Sequence, residues 1–186
     1  MPRTPFEPGP LAEVACQPSG DRWTLVFVRV LRHPPTKVWA ALTDPAQLRE
    51  WSPYTAERNL GTTGHAVLTM IDGDTSEDFE ARVSRAEHPR LLEYTWGTDL
   101  LQWQLEAVES GTRLTLRHTI ADSEWLPKVA AGWHICLAVA EHLLDGHPVG
   151  PIVGEAARDH GWEDLHDAYA ATLGIASAGW PGGPDA

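Results

Sequence analysis

Few side chains in this sequence have the type and spacing to do chemistry. His118 falls at an inward position of an alternating apolar stretch, and His134 falls inside a long apolar one. Imidazole can donate, accept or shuttle a proton near neutral pH. The plainer role for each is a buried ring satisfied by a backbone carbonyl. Tyr94 and His118 together would supply the few polar groups that orient a bound molecule. No Ser-His-Asp arrangement or nucleophile motif is present, and Cys136 has only His134, two residues away, as an activating neighbour. Glu141, His142, Asp145 and His147 gather at one helix end, and His160, Asp164, His166 and Asp167 share another helix. Neither group matches a recognised metal motif, and a solvated polar face accounts for both. Asp72, Asp74, Glu77 and Asp78 read as a solvated hairpin tip, and Gly61 to Gly64 as a simple turn. The sequence therefore calls for no metal and no cofactor.

Nine tryptophans in 186 residues are the most unusual feature of the composition. Trp39 and Trp51 sit in short helical stretches and read as core, because such rings bury large areas. Trp96 and Trp103 fall on the inward face of strands, and Trp133 on a long helix. Flat rings around a void suit an apolar ligand, and solid core packing is the alternative.

The formal net charge is −12, from 14 basic and 26 acidic residues. That balance argues against nucleic acid, which needs a cationic face, and against an anionic membrane surface. No apolar run approaches the roughly 18 residues that span a bilayer. No signal-peptide core follows the first residues, so a cytoplasmic location is expected. Cys16 and Cys136 form neither a disulfide framework nor a ligand spacing. At roughly 150 residues per domain the length suggests one domain.

The elements that must position these residues follow from periodicity. Residues 1–10, rich in proline, read as a flexible lead-in, and residues 175–186 as a flexible tail. Between them, 11–174 reads as one domain. Ala12–Gln17 and Trp23–Leu31 read as a hairpin. Pro34-Pro35 stops it, and Thr36–Leu42 reads as a short helix with Thr36 as a possible cap. Asp44-Pro45 opens a second, ending near Trp51. His65–Ile71, Glu77–Ala86, Leu91–Trp96, Leu101–Ala107 and Thr112–Ile120 read as strands, the last four alternating polar and apolar as in a meander with one wet face. The period then turns helical over Glu124–Leu144, with a stop at Asp145-Gly146. A last amphipathic helix spans about 156–173, with the stripe Trp162, Leu165, Tyr169 and Leu173. That stripe either packs on its own chain or meets a second copy in a homodimer.

A sheet with one dry face needs the long helix to cover it, which gives an α+β fold. A strongly curved sheet around one helix would leave an apolar cavity. The order resembles the START-like, or SRPBCC, helix-grip superfamily, and within it the bacterial AHSA-like relatives of the activator of heat-shock-chaperone ATPase. The residues that carry the resemblance are Arg29-Val30-Leu31, His33 to Trp39, Ala41-Leu42-Thr43-Asp44-Pro45, Leu48 to Pro53, Gly111 to Leu116, and Gly132-Trp133 with Leu137 and Leu144, a core of 22–146. The resemblance implies that a hydrophobic small molecule is the partner, bound in the central cavity. The lining candidates are Met70, Phe79, Tyr94, Trp96, Trp103, His118, Trp133 and Leu137, around roughly 300–1,000 Å³. Some members of this superfamily are polyketide cyclases or hydrolases. A cyclase or dehydratase here would use His118 and Tyr94 to promote enolisation or dehydration. A stress-related or regulatory protein-interaction module is a further alternative, needing an exposed apolar patch. The amino-terminal domain that engages the chaperone in eukaryotic members is not expected here. Fold resemblance does not by itself assign an activity.

Overall fold

Strands form where apolar and polar residues alternate, because successive side chains on a strand point to opposite faces. The computed structural model describes residues 6–71, 76–177 and 179–180. Its strands are β1 (Glu13–Ser19), β2 (Arg22–Leu31), β3 (Tyr54–Ala56), β4 (Gly64–Met70), β5 (Asp78–Glu87), β6 (Leu91–Trp96), β7 (Asp99–Val108) and β8 (Gly111–Ile120). They form one antiparallel sheet ordered β1-β2-β8-β7-β6-β5-β4-β3. The early hairpin therefore pairs with the last strand, and β4 to β8 run as a meander. Along β8, Leu114, Leu116, His118 and Ile120 are buried, while Thr115, Arg117 and Thr119 are only partly covered. Leu101, Trp103 and Leu105 repeat the pattern on β7. β3 is too short to show a period in the sequence, and only its pairing with β4 reveals it.

Two helices, α1 (Pro35–Thr43) and α2 (Pro45–Leu48), link β2 to β3. The Thr36 cap expected from sequence is absent. Pro34 occupies the capping position without a side-chain bond, and Pro35 opens the first turn. At α2 the Asp44 carboxylate accepts from the Ala46 N–H at 2.9 Å. That helix stops at Leu48, short of Trp51.

The long helix α3 (Leu126–Leu144) follows a 3₁₀ turn at Ser123–Trp125. Gly146, at φ 81°, ends it in the left-handed conformation, as the Asp145-Gly146 pair suggested. Cations gather at its C-terminal end, where the helix dipole favours them. Arg29 reaches Glu141 at 2.9 Å, Arg32 reaches Asp145 at 3.5 Å, and the Lys37 ammonium donates to the Leu144 carbonyl, while the His33 ring hydrogen-bonds Asp145 at 2.7 Å.

α3 is buried on nearly every side. The sheet covers one face, and α4 (Trp162–Leu173) covers another, with Tyr169 fully buried 6.2 Å from Phe27. The stripe on α4 thus packs within its own chain. The single helix expected over about 156–173 is two pieces: a 3₁₀ segment at Gly154–His160, then α4. Gly161, at φ 84°, breaks the run between them.

Described residues of both end segments pack on the domain. Within the lead-in, Phe6 packs against His142 and His160, and the Pro8 carbonyl bonds His134. In the tail, Trp180 packs edge-on against Trp162 at 4.8 Å. Asp72 and Asp74 of the expected acidic hairpin tip lie outside the described residues.

Candidate functional site

Aromatic packing decides how much space the grip leaves. Trp103 of β7 meets Trp133 of α3 edge-on at 5.3 Å, and Trp51 meets Trp103 at 6.2 Å. Tyr54 of β3 lies 4.9 Å from Trp96 and 6.3 Å from Tyr94. The Trp51 indole N–H donates to the Ala41 carbonyl at 2.9 Å, so even its polar tip is satisfied inside the core. These rings interdigitate under α3, and Trp51, Tyr54, Tyr94 and Trp103 are essentially inaccessible.

His118 is held by its neighbours at both nitrogens. Gly97, at φ 58°, supplies the turn that joins β6 to β7 and sets Trp96 opposite Asp99. The Trp133 indole N–H donates to His118 Nδ1 at 2.9 Å. An indole nitrogen can only donate, so Nδ1 accepts and the proton of the neutral ring sits on Nε2. That N–H donates to the Asp99 carboxylate at 2.8 Å, and Arg22 lies 3.7 Å from the same carboxylate. His118 therefore has no free nitrogen to offer a bound molecule.

His134 is tied in the same way. A carbonyl only accepts, so Nε2–H donates to Pro8 at 2.8 Å. Nδ1 then accepts from the Tyr169 hydroxyl at 2.6 Å, and that oxygen accepts from the Ala12 N–H at 2.9 Å. Burial holds His134 below the ordinary histidine range. The Tyr94 hydroxyl bonds that of Tyr54 and accepts from the Trp103 indole at 3.3 Å. Burial pushes Tyr94 up to about 12, so it stays protonated near neutral pH.

The open space lies beside this cluster. A cavity of about 180 Å³ is bounded by Val129, Gly132, Trp133 and Cys136 of α3, by Pro53, Trp96 and His118, and by Ile152, Val153, Gly154, Ala157, Trp162 and Trp180 of the C-terminal segment. Of the residues expected to line a cavity, Trp96, His118 and Trp133 do. Met70, Phe79, Tyr94, Trp103 and Leu137 stand outside its wall. Tyr94 and Trp103 belong to the filled core, Leu137 is buried on α3, and Met70 and Phe79 are half-buried on β4 and β5. The void is smaller than expected and displaced, because the rings fill the centre of the grip. Tyr94 and His118 consequently do not converge on one open space, as a cyclase would require.

The far wall escaped sequence reasoning. Its signals were the apolar pair Ile152-Val153 between Pro151 and Gly154, and Trp180 in an otherwise small-residue tail. Elsewhere, Glu141 is engaged by Arg29 and Asp145 by Arg32, and His166 stacks on Trp162 at 5.0 Å. Among the described residues no group of three His, Cys, Asp or Glu side chains could hold a metal ion. None of the described helices is long and apolar enough to cross a membrane.

A family model described as activator of Hsp90 ATPase homolog 1-like protein matches residues 32–145. The chain belongs to that AHSA1-like family. Its fold is shared with CalU16 from Micromonospora echinospora, at 20% identity over 86% of this chain and 96% of that one, with a TM-score of 0.64. EF2215 from Enterococcus faecalis, a conserved protein of unknown function, matches at 16% identity over 86% and 90%, also with a TM-score of 0.64. An AHSA1-like protein from Aeromonas hydrophila matches at 19% identity over 66% and 92%, with a TM-score of 0.57. No curated protein matches the chain. The AHSA1-like match ends at residue 145, so Ile152 to Trp180, one whole wall of the cavity, lies beyond it.

Proposed function

We propose that this AHSA1-like chain binds a small hydrophobic molecule, without catalysis, in the cavity between α3, the Trp96 end of the sheet and the C-terminal segment. The observation that carries this reading is the cavity itself: about 180 Å³ walled mainly by tryptophan and aliphatic side chains. Its polar groups are engaged or uncharged. His118 is bonded at both nitrogens, and burial pushes the Cys136 thiol up to about 12. A carrier needs only volume and a dry lining. A catalyst needs an available acid, base or nucleophile, and among the described residues none is offered to this space. The reading assigns no nucleic-acid or membrane role, in keeping with the charge of −12. It takes the cytoplasm as the site of action, in keeping with the free thiols Cys16 and Cys136.

Native mass spectrometry of freshly purified protein, with thermal-shift and saturation-transfer NMR titrations of neutral apolar probes, tests the reading. A retained organic mass, or a probe that raises Tm and shows saturation transfer, supports it. Protein that is uniformly empty and indifferent to every neutral probe overturns it.

A further inference from the structure

Gly132 stands well inside α3, where glycine is a poor choice. It loses more backbone freedom on folding than any other residue, and alanine is the best helix former. The neighbours Ala130 and Ala131 show that this stretch of helix takes alanine. Two structural demands commonly justify a glycine, and Gly132 meets neither. Its φ is not positive, and a Cβ placed on it would meet nothing within 4 Å. What Gly132 does border is the cavity. The space a side chain would fill is therefore part of the void.

We infer that Gly132 is the ligand-facing floor of the pocket, and that the slot it leaves takes a neutral, flat molecule of one ring or two fused rings. This rests on the binding reading above and names the class of ligand for the same site. Size comes first. A dry apolar cavity of ~150 Å³ accommodates benzene, and this one is about 180 Å³. Shape comes next: the indoles of Trp96, Trp133, Trp162 and Trp180 line the space, and aromatic rings pair best offset-stacked or edge-to-face. Charge comes last. Neither lysine, arginine, aspartate nor glutamate lines the pocket among the described residues. An ionised ligand would lose its hydration without a counter-charge. A quaternary ammonium held on the indole faces is the competing class, and the test separates the two.

The full chain and its Gly132→Ala and Gly132→Leu variants are titrated with toluene, naphthalene, decanoate and tetramethylammonium, followed by saturation-transfer NMR and thermal shift. The wild-type chain is expected to bind toluene and naphthalene in preference to the two ions. Gly132→Ala should raise the probe-free Tm by roughly 2–4 °C, because the helix improves, and should weaken naphthalene more than toluene. Gly132→Leu should weaken both rings at least about tenfold, equivalent to about 1.4 kcal/mol. If the leucine variant fails to fold, the alanine variant alone decides. Ring probes that bind the wild type and the variants equally overturn the role of Gly132 and leave the binding reading intact. Preference for tetramethylammonium or decanoate overturns the ligand class. Failure of all four probes on the wild type overturns the ligand class, and if native mass spectrometry also finds the protein uniformly empty, the binding reading falls with it.

Discussion

At the scale of single residues, burial determines what the titratable groups can do. His134 is inaccessible and held below the ordinary histidine range mainly by desolvation, with Arg29 lowering it further. The unfolded chain therefore takes up this proton at a higher pH than the folded one. Linkage then makes stability fall as pH drops below about 6.5, until the folded-state value is passed. His134→Gln should reduce the acid-side fall in Tm between pH 7 and pH 5, as followed by calorimetry. An unchanged slope would contradict the assignment. Cys136 gives a second check. Its thiol is buried and pushed up to about 12, whereas Cys16 is half-buried. A thiol reagent at pH 8 should modify Cys16 readily in native protein and Cys136 only after unfolding. Two equally fast thiols would rule this out.

At the scale of elements, the closest fit is where β7 turns into β8. Gly111, at φ 139°, lies so near β2 that an added Cβ would come within 2.1 Å of the Leu31 carbonyl oxygen and 2.8 Å of the His33 nitrogen. Both are backbone atoms and cannot rotate aside. The nearby Thr112 hydroxyl donates to the His33 carbonyl at 2.6 Å, fixing the same junction. Gly111→Ala should destabilise the fold by more than about 2 kcal/mol, from steric strain and displaced strand pairing. Denaturant unfolding would measure the loss. A near-neutral result would mean that the β2–β8 junction yields more easily than its contacts imply. Gly111 and Gly132 thus stand for opposite reasons: one has no room for a side chain, and the other borders room that a side chain would remove.

At the scale of the whole molecule, segments distant in sequence from the sheet and α3 complete the core. Pro8 and Ala12 bond into the His134–Tyr169 pair, and Trp162 and Trp180 wall the cavity. A chain ending at residue 146 would lose α4 and bare one face of α3. It should unfold at a markedly lower temperature, and Cys136 should become reactive. Retention of wild-type Tm with a protected Cys136 would show that the C-terminal segment is not needed to cover α3.

The strands of the meander, the long helix and its stop at Gly146 were legible because each is a local pattern: alternation, helical period, glycine at a helix end. β3 and the break at Gly161 were not, since three residues carry no period and a glycine inside a helical pattern does not announce its φ. For the site, Trp96, His118 and Trp133 were legible as inward-facing residues. Facing inward does not distinguish a ring that fills the core from one that borders a void. That distinction belonged to the tertiary structure alone. A cavity is the small remainder between the space the backbone encloses and the volume the side chains occupy. Residues far apart in sequence, such as Trp51, Trp133 and Trp180, set that remainder only once they are packed together.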